Sequence, residues 1–196
     1  MKKIVLAALA ATSALIALPA SAQTVTGTVN ITGSVAPKCQ VIDAGGAASG
    51  SFTSTVDLGE LSQANGLLRT SASLSTQFNA GGTGSAQLTF RVVCTTAAPG
   101  VNVNADPITT GASAPSGYAN RVDYQADVAF SLVGPATQTV SNDSTAAATA
   151  ASLTNRLTGT GNNVVITAQN FRTPNATDVM VAGSYTGLIT VTISPS

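Results

Sequence analysis

Residues 24–35 read TVTGTVNITGSV. Val25, Gly27, Val29, Ile31, Gly33 and Val35 take the odd positions, and Thr24, Thr26, Thr28, Asn30, Thr32 and Ser34 take the even ones. A period of two held over this whole stretch describes a β-strand with one apolar and one polar face. Two packings are open to it. The apolar face can lie in its own domain, as the first strand of a complete β-sandwich, or it can leave that domain and fill a groove in a neighbouring copy.

Downstream, the chain alternates in the same way. AQLTFRVVCT (86–95) places Leu88, Phe90, Val92 and Cys94 on one face, and VDYQADVAFSLV (122–133) does the same for Tyr124, Val128, Phe130 and Leu132. CQVI (39–42), FTSTVDLGEL (52–61), VNVNA (101–105), TQTV (137–140), NVVITAQNF (163–171) and LITVTIS (188–194) complete the predicted strands. Residues 43–51 (DAGGAASGS), 62–85 and 106–120 carry the Gly, Pro, Asn and Ser clusters of connections. TAAATAASL (145–153) is alanine-rich but has no apolar stripe, so a single turn or a loop is expected there. The expectation is an all-β domain with the strand spacing of a sandwich.

Upstream lies an export signal. Lys2 and Lys3 precede an uncharged run from Ile4 to Leu18, and Ala20-Ser21-Ala22 supplies the small residues of a cleavage site between Ala22 and Gln23. Pro19 and Ser21 interrupt the run before the roughly twenty apolar residues that a bilayer span needs. No later stretch could cross a membrane. The expected organisation is a signal peptide over 1–22, the alternating segment over 23–36 and a β-domain over 37–196.

Charge is scarce, at 8% of residues, with eight acidic and eight basic side chains. Lys2 and Lys3 leave with the signal, so six basic residues face eight acidic ones, a formal −2. That surface has no basic field for nucleic acid or anionic lipid. Cys39 and Cys94 are the two cysteines of a chain expected to leave the reducing cytosol, and a single disulfide is the economical reading. Two free thiols are the alternative, and a metal site from two cysteines without histidine is a third.

The chain has no histidine, which excludes Ser-His-Asp and Cys-His triads and His-ligated metals. Asp57 with Glu60, and Asp123 with Asp127, are the conceivable carboxylate pairs for glycoside hydrolysis. Solvated carboxylates on an exposed face are the simpler account of both. Asn142-Asp143-Ser144 reads as a turn before a calcium site. No cofactor, metal or catalytic residue is expected, and the chain does not read as an enzyme.

From VAPKCQV (35–41) through LTFRVVCT (88–95) to VAGSYTGLITVTIS (181–194), the chain resembles the spore coat protein U-like family, which includes the pilins of the archaic chaperone–usher pathway. The signal, the alternating leader, a cysteine close behind it, a second at the end of a strand and the Ala182-Gly183-Ser184-Tyr185 ending carry the resemblance, with YQADVAFSL (124–132) as a central strand. The resemblance implies an immunoglobulin-like β-sandwich lacking its last strand. A periplasmic chaperone would fill the gap during export, and an outer-membrane usher would replace it with the leader of the next subunit. Val25, Gly27, Val29, Ile31, Gly33 and Val35 would form the donor face. The product would be a cell-surface fimbria of identical or related subunits, serving adhesion or biofilm formation. A self-complete secreted β-sandwich, acting in a coat or binding a ligand, is the alternative.

Burying Val25, Val29, Ile31 and Val35 does not by itself offset the entropy of fixing a dozen backbone residues. The leader is therefore expected to lack fixed structure until a ladder of hydrogen bonds and a completed core are available to it.

Overall fold

The computed structural model describes residues 25–84, 86–134 and 136–195. The expected export signal, its expected Ala22–Gln23 junction and Thr24 lie outside the described residues. The chain divides after Ser34, and the fold below is that of the second unit.

Its strands are β1 (Cys39–Ile42), β2 (Ala48–Ser49), β3 (Thr89–Cys94), β4 (Gly100–Thr109), β5 (Tyr118–Ala119), β6 (Arg121–Ser131), β7 (Thr137–Asp143), β8 (Thr149–Ser152), β9 (Val164–Arg172), β10 (Val179–Met180) and β11 (Thr186–Ser194). Nine of them form one antiparallel sheet in the order β11-β4-β6-β9-β3-β1-β2, with β7 also on β6 and β8 also on β4. β5 and β10 form a separate parallel pair.

The sheet curls because β4 and β6 meet only at one corner, where Ile108 and Thr109 face Val122 and Arg121. Beyond that corner β4 takes β8 and β11 as neighbours, while β6 takes β7 and β9. The inward residues of both parts then share one core: Val101 and Val103 of β4 pack with Phe90 and Val92 of β3, Val128 and Phe130 of β6, and Val164 and Ile166 of β9. The predicted alternation holds in β3 and in β6, where Val122, Tyr124, Ala126, Val128 and Phe130 are all buried. A second cluster, around Leu74, Ala105, Tyr124, Ala168 and Phe171, continues the core toward the corner.

Three local expectations are corrected. A helix, α1 (Ser71–Asn79), stands in the stretch read as a connection. The Thr70 hydroxyl caps it by accepting the Ser73 amide at 3.3 Å, and its apolar face consists of buried Leu74 and half-buried Phe78, spaced i, i+4. Residues 52–61, expected as a strand, contain none. Residues 149–152 are strand β8, because β4 offers them a ladder from Gly100 to Val103; that partner overrides the low strand propensity of alanine.

The exposed-face account of Asp123 and Asp127 is also corrected. A register shift between Asp123 and Gln125 turns Asp123 inward, so it is 4% exposed rather than solvated. The Arg121 Nε donates to it at 2.6 Å. Asp127 accepts the amides of Gln125 and Gln169 at 2.7 and 2.6 Å. Asp143 pairs with Arg172 at 2.8 Å, which holds its carboxyl down at about 2. Neighbouring Asn142 is buried and accepts the Ala105 amide at 2.8 Å.

Asn163 is a second buried amide, fully enclosed. Its Oδ1 accepts the Val92 amide at 2.8 Å, and its Nδ2 donates to the carbonyls of Val92 at 2.7 Å and Thr158 at 2.8 Å. It thus completes the β3 backbone where β3 no longer pairs with β9, the ladder between them covering only Thr89–Phe90. Leucine at this site would leave those groups buried and unpaired, at roughly 1–3 kcal/mol each. Asn163→Leu is expected to lower unfolding stability by about 2–4 kcal/mol, read from urea midpoints with an unchanged slope. A loss below about half a kcal/mol would contradict this account of the amide.

Candidate functional site

The curled sheet does not close. Among the described residues β11 has one strand neighbour, β4, so its other edge is open. A groove of about 1250 Å³ runs along that edge. Its near wall is the segment Met180–Ile193; its far wall is β1 with residues 50–62; Phe90, Val92, Tyr124, Ile166 and Phe171 lie on its floor.

β11 forms its wall by alternation. Ile189, Val191 and Ile193 face the core yet stay only half-buried, whereas Thr190, Thr192 and Ser194 are exposed on the outer face. The same residues beside a further strand would be covered. At the corner end the strand bulges between Thr186 and Leu188. Gly187 is required there, since a Cβ would lie 2.7 Å from Ile108 Cγ1. The buried Tyr124 hydroxyl donates to the Leu188 carbonyl at 3.1 Å; burial pushes its pKa up, so the phenol stays a donor. Tyr185, whose pKa burial also raises, shares its one hydroxyl proton between the Val181 and Ala119 carbonyls, 2.8 and 3.1 Å away, at the groove's end.

The far wall is held differently. Phe52 stacks on Phe90 with ring centroids 4.1 Å apart. Asp57 accepts the Gly59 amide at 2.8 Å and the Thr83 hydroxyl at 2.9 Å, and its carbonyl accepts the Thr83 amide at 2.8 Å. These hydrogen bonds, Gly59 first, lower the Asp57 pKa. Gly82 makes the clasp possible, because a Cβ there would collide with the Asp57 backbone. Among the described residues no ladder joins 52–56 to a strand. At the other end of this wall Cys39 and Cys94 form a disulfide, with Cα atoms 4.1 Å apart. It ties β1 to β3 in the register Cys39–Cys94 through Ile42–Arg91.

The alternating leader contributes no strand over residues 25–38. Val25, Val29, Ile31 and Val35 are 93, 86, 92 and 79% exposed, and nothing lies within 4 Å of a Cβ built on Gly27 or Gly33. These apolar side chains and the groove are thus two unsatisfied surfaces of one chain. The leader is legible in sequence as a run. The groove is not, because its lining is gathered from residues between 39 and 193.

Among the described residues no three of His, Cys, Asp or Glu cluster as metal ligands, and no helix is long and apolar enough to cross a membrane. The groove lining includes Asp57 and Glu60 but neither lysine nor arginine. Such a site suits an uncharged, extended, half-apolar chain. No protein-family model matches the sequence, and no curated protein or solved structure matches it either.

Proposed function

We propose that the chain is a non-enzymatic structural subunit of a bacterial surface fimbria, an incomplete immunoglobulin-like sandwich polymerised by donor-strand exchange. The observation that carries this reading is the apolar groove along the open edge of β11. The occupant is the segment 24–35 of the next copy. Its period of two matches Ile189, Val191 and Ile193, its length matches the wall from Met180 to Ile193, and it carries no charge into a lining without cations.

An added strand satisfies the free edge of β11 and buries its own alternate side chains, the mode of β-augmentation. The uncovered groove is an aggregation hazard, which is the physical reason for a periplasmic chaperone during transit and an outer-membrane usher at assembly. One contact repeated by the same operator, from leader to groove, generates an open filament rather than a ring. Cys39 follows the leader closely, so the disulfide anchors the base of each donor segment in its own subunit. Adhesion or biofilm formation is the role of the resulting fibre.

A chain lacking residues 23–36 keeps the groove and loses the donor. Adding the synthetic peptide 23–36 to it is expected to raise the melting temperature by several degrees, in proportion to occupancy. A scrambled peptide of the same composition is expected to have no effect. Equal melting with and without the true peptide, from a stable monomer, would favour a self-complete coat or ligand-binding protein.

A further inference from the structure

On the back of the groove's far wall lies a second recess, of about 240 Å³. β1 and β3 turn Val41, Phe90 and Val92 to the groove. The alternate residues Ile42 and Arg91, which stand opposite each other, line the recess. The turn after β1 adds Asp43 and Ala44, the residues before β9 add Gly161 and Asn162, and Gln87 lines both hollows. A strand laid in the groove would leave this recess open.

Its polar atoms are held in place yet incompletely partnered. The Gln87 Nε2 donates to the Thr89 carbonyl at 2.7 Å and the Asn162 Nδ2 to the Thr89 hydroxyl at 2.9 Å. Thr89 thus fixes both amides and leaves their oxygens without a donor among the described residues. One Asp43 oxygen accepts the Ala47 amide at 2.8 Å, inside the turn that the Asp43 amide closes on the Ala47 carbonyl at 3.0 Å. The other Asp43 oxygen has no donor among the described residues. The Arg91 Nη2 donates to the Gly159 carbonyl at 2.7 Å, and its Nε is buried without a partner. Ion pairs among the described residues join Arg121 to Asp123 and Arg172 to Asp143, so Arg91 and Asp43 share the recess without pairing.

We infer that this recess binds one neutral pyranose residue of a glycan. Its volume lies below the roughly 300 Å³ at which pockets for drug-sized molecules begin, which suits a single sugar ring. Carboxylate and amide oxygens stand there beside one guanidinium. A sugar hydroxyl both donates and accepts, so the hydroxyls around one ring can serve all of them. A small anion would satisfy Arg91 but set like charge against Asp43, and a cation would meet the opposite fault at Arg91. Ile42 and Ala44 offer apolar surface to the C–H face of the ring. No aromatic side chain lines the recess, so a single site is expected to hold its sugar with a dissociation constant of roughly a millimolar or weaker. The inference deepens the fimbrial reading by naming what the fibre adheres to. Each subunit brings one recess, and repetition along a fibre turns weak binding into firm attachment. That consequence rests on the fimbrial reading; the binding itself does not.

The test is saturation-transfer NMR of the mature chain, 23–196, with the methyl glycosides of glucose, galactose, mannose and N-acetylglucosamine. Acetate and free glycine serve as the anionic and zwitterionic probes. At least one glycoside is expected to receive saturation, and neither acetate nor glycine to displace it. Asp43→Asn keeps the acceptor for the Ala47 amide, and Gln87→Met keeps the length of its side chain. Each is expected to weaken binding of that glycoside about tenfold, the loss of one hydrogen bond to a fixed partner. Arg91→Gln, whose amide can still donate, is expected to weaken it at least as much. Circular dichroism verifies each fold, and Asp43→Asn carries the comparison if Arg91→Gln is unfolded. Saturation of no glycoside, or undiminished binding by the folded variants, would overturn the site. Displacement by acetate or glycine would overturn its ligand class. A chain that binds the glycoside but fails to polymerise would strike the fimbrial reading and leave the site standing, whereas a polymer without glycoside binding would do the reverse.

Discussion

Ile31→Asp is expected to abolish polymerisation while leaving export and the fold of the β-domain intact. Ile31 is 92% exposed in the described chain, so the substitution removes no contact there. In the groove of a neighbour the same position would be dry. Burying isoleucine contributes roughly 1.5–3 kcal/mol, and a carboxylate put in its place must be desolvated without a partner, a further cost of several kcal/mol. The lining makes this worse, since it carries Asp57 and Glu60 and no cation. A total loss of about 4 kcal/mol or more corresponds to roughly a thousandfold in affinity. Thr28→Asp, three residues away on the polar face, is the matched control and should assemble with only a modest rate change. Fibres of normal length from the Ile31→Asp subunit, seen by electron microscopy, would refute the assignment of the apolar face to the groove.

Loss of the Cys39–Cys94 bond is the second large effect. The bridge closes a separation of 55 residues, and the chain-entropy treatment assigns such a loop about 4 kcal/mol. Against a typical total of about 5–15 kcal/mol this is a large share. For a chain of this size it corresponds to a melting point lower by about 8–16 °C. Cys39→Ala/Cys94→Ala should therefore melt far below the parent chain, monitored by circular dichroism at equal concentration. The consequence for assembly is specific, because β1 is a wall of the groove and is held to β3 over four residue pairs. Frayed at Cys39, that wall ceases to define the groove's width, and polymer formation is expected to fall along with stability. A double variant that melts within a degree or two of the parent would show that β1 is secured by other contacts.

Much of the fold was legible in the order of residues. The alternation in β3, β6, β9 and β11 named the strands and the residues that face inward, because a strand buried on one face needs an apolar residue at every second position. Two cysteines in a chain expected to be exported pointed to their own pairing. The misses have definite causes. Helix α1 carries serine and threonine where a helix favours alanine or leucine, and its two apolar residues were too few to stand out. Its readable signals were the Thr70 cap and the spacing of Leu74 to Phe78. Strand β8 looked unlike a strand because what makes it one is its partner, β4. Residues 52–61 alternate convincingly and still form no strand, since no neighbour offers them a ladder in the described chain. Asp123 was misplaced because a register shift turns it inward toward Arg121.

Local order by itself determined which faces are apolar, including the uncharged face of residues 25–35, and left open what that face would meet. Tertiary structure alone decided that β11 ends the sheet with one neighbour, and that the core beneath it is roofed incompletely. The physical reason is one of range. Side-chain alternation belongs to a single strand and repeats every two residues, whereas an open edge is a property of how distant segments close around a core. A gap contributes no residues of its own to be read.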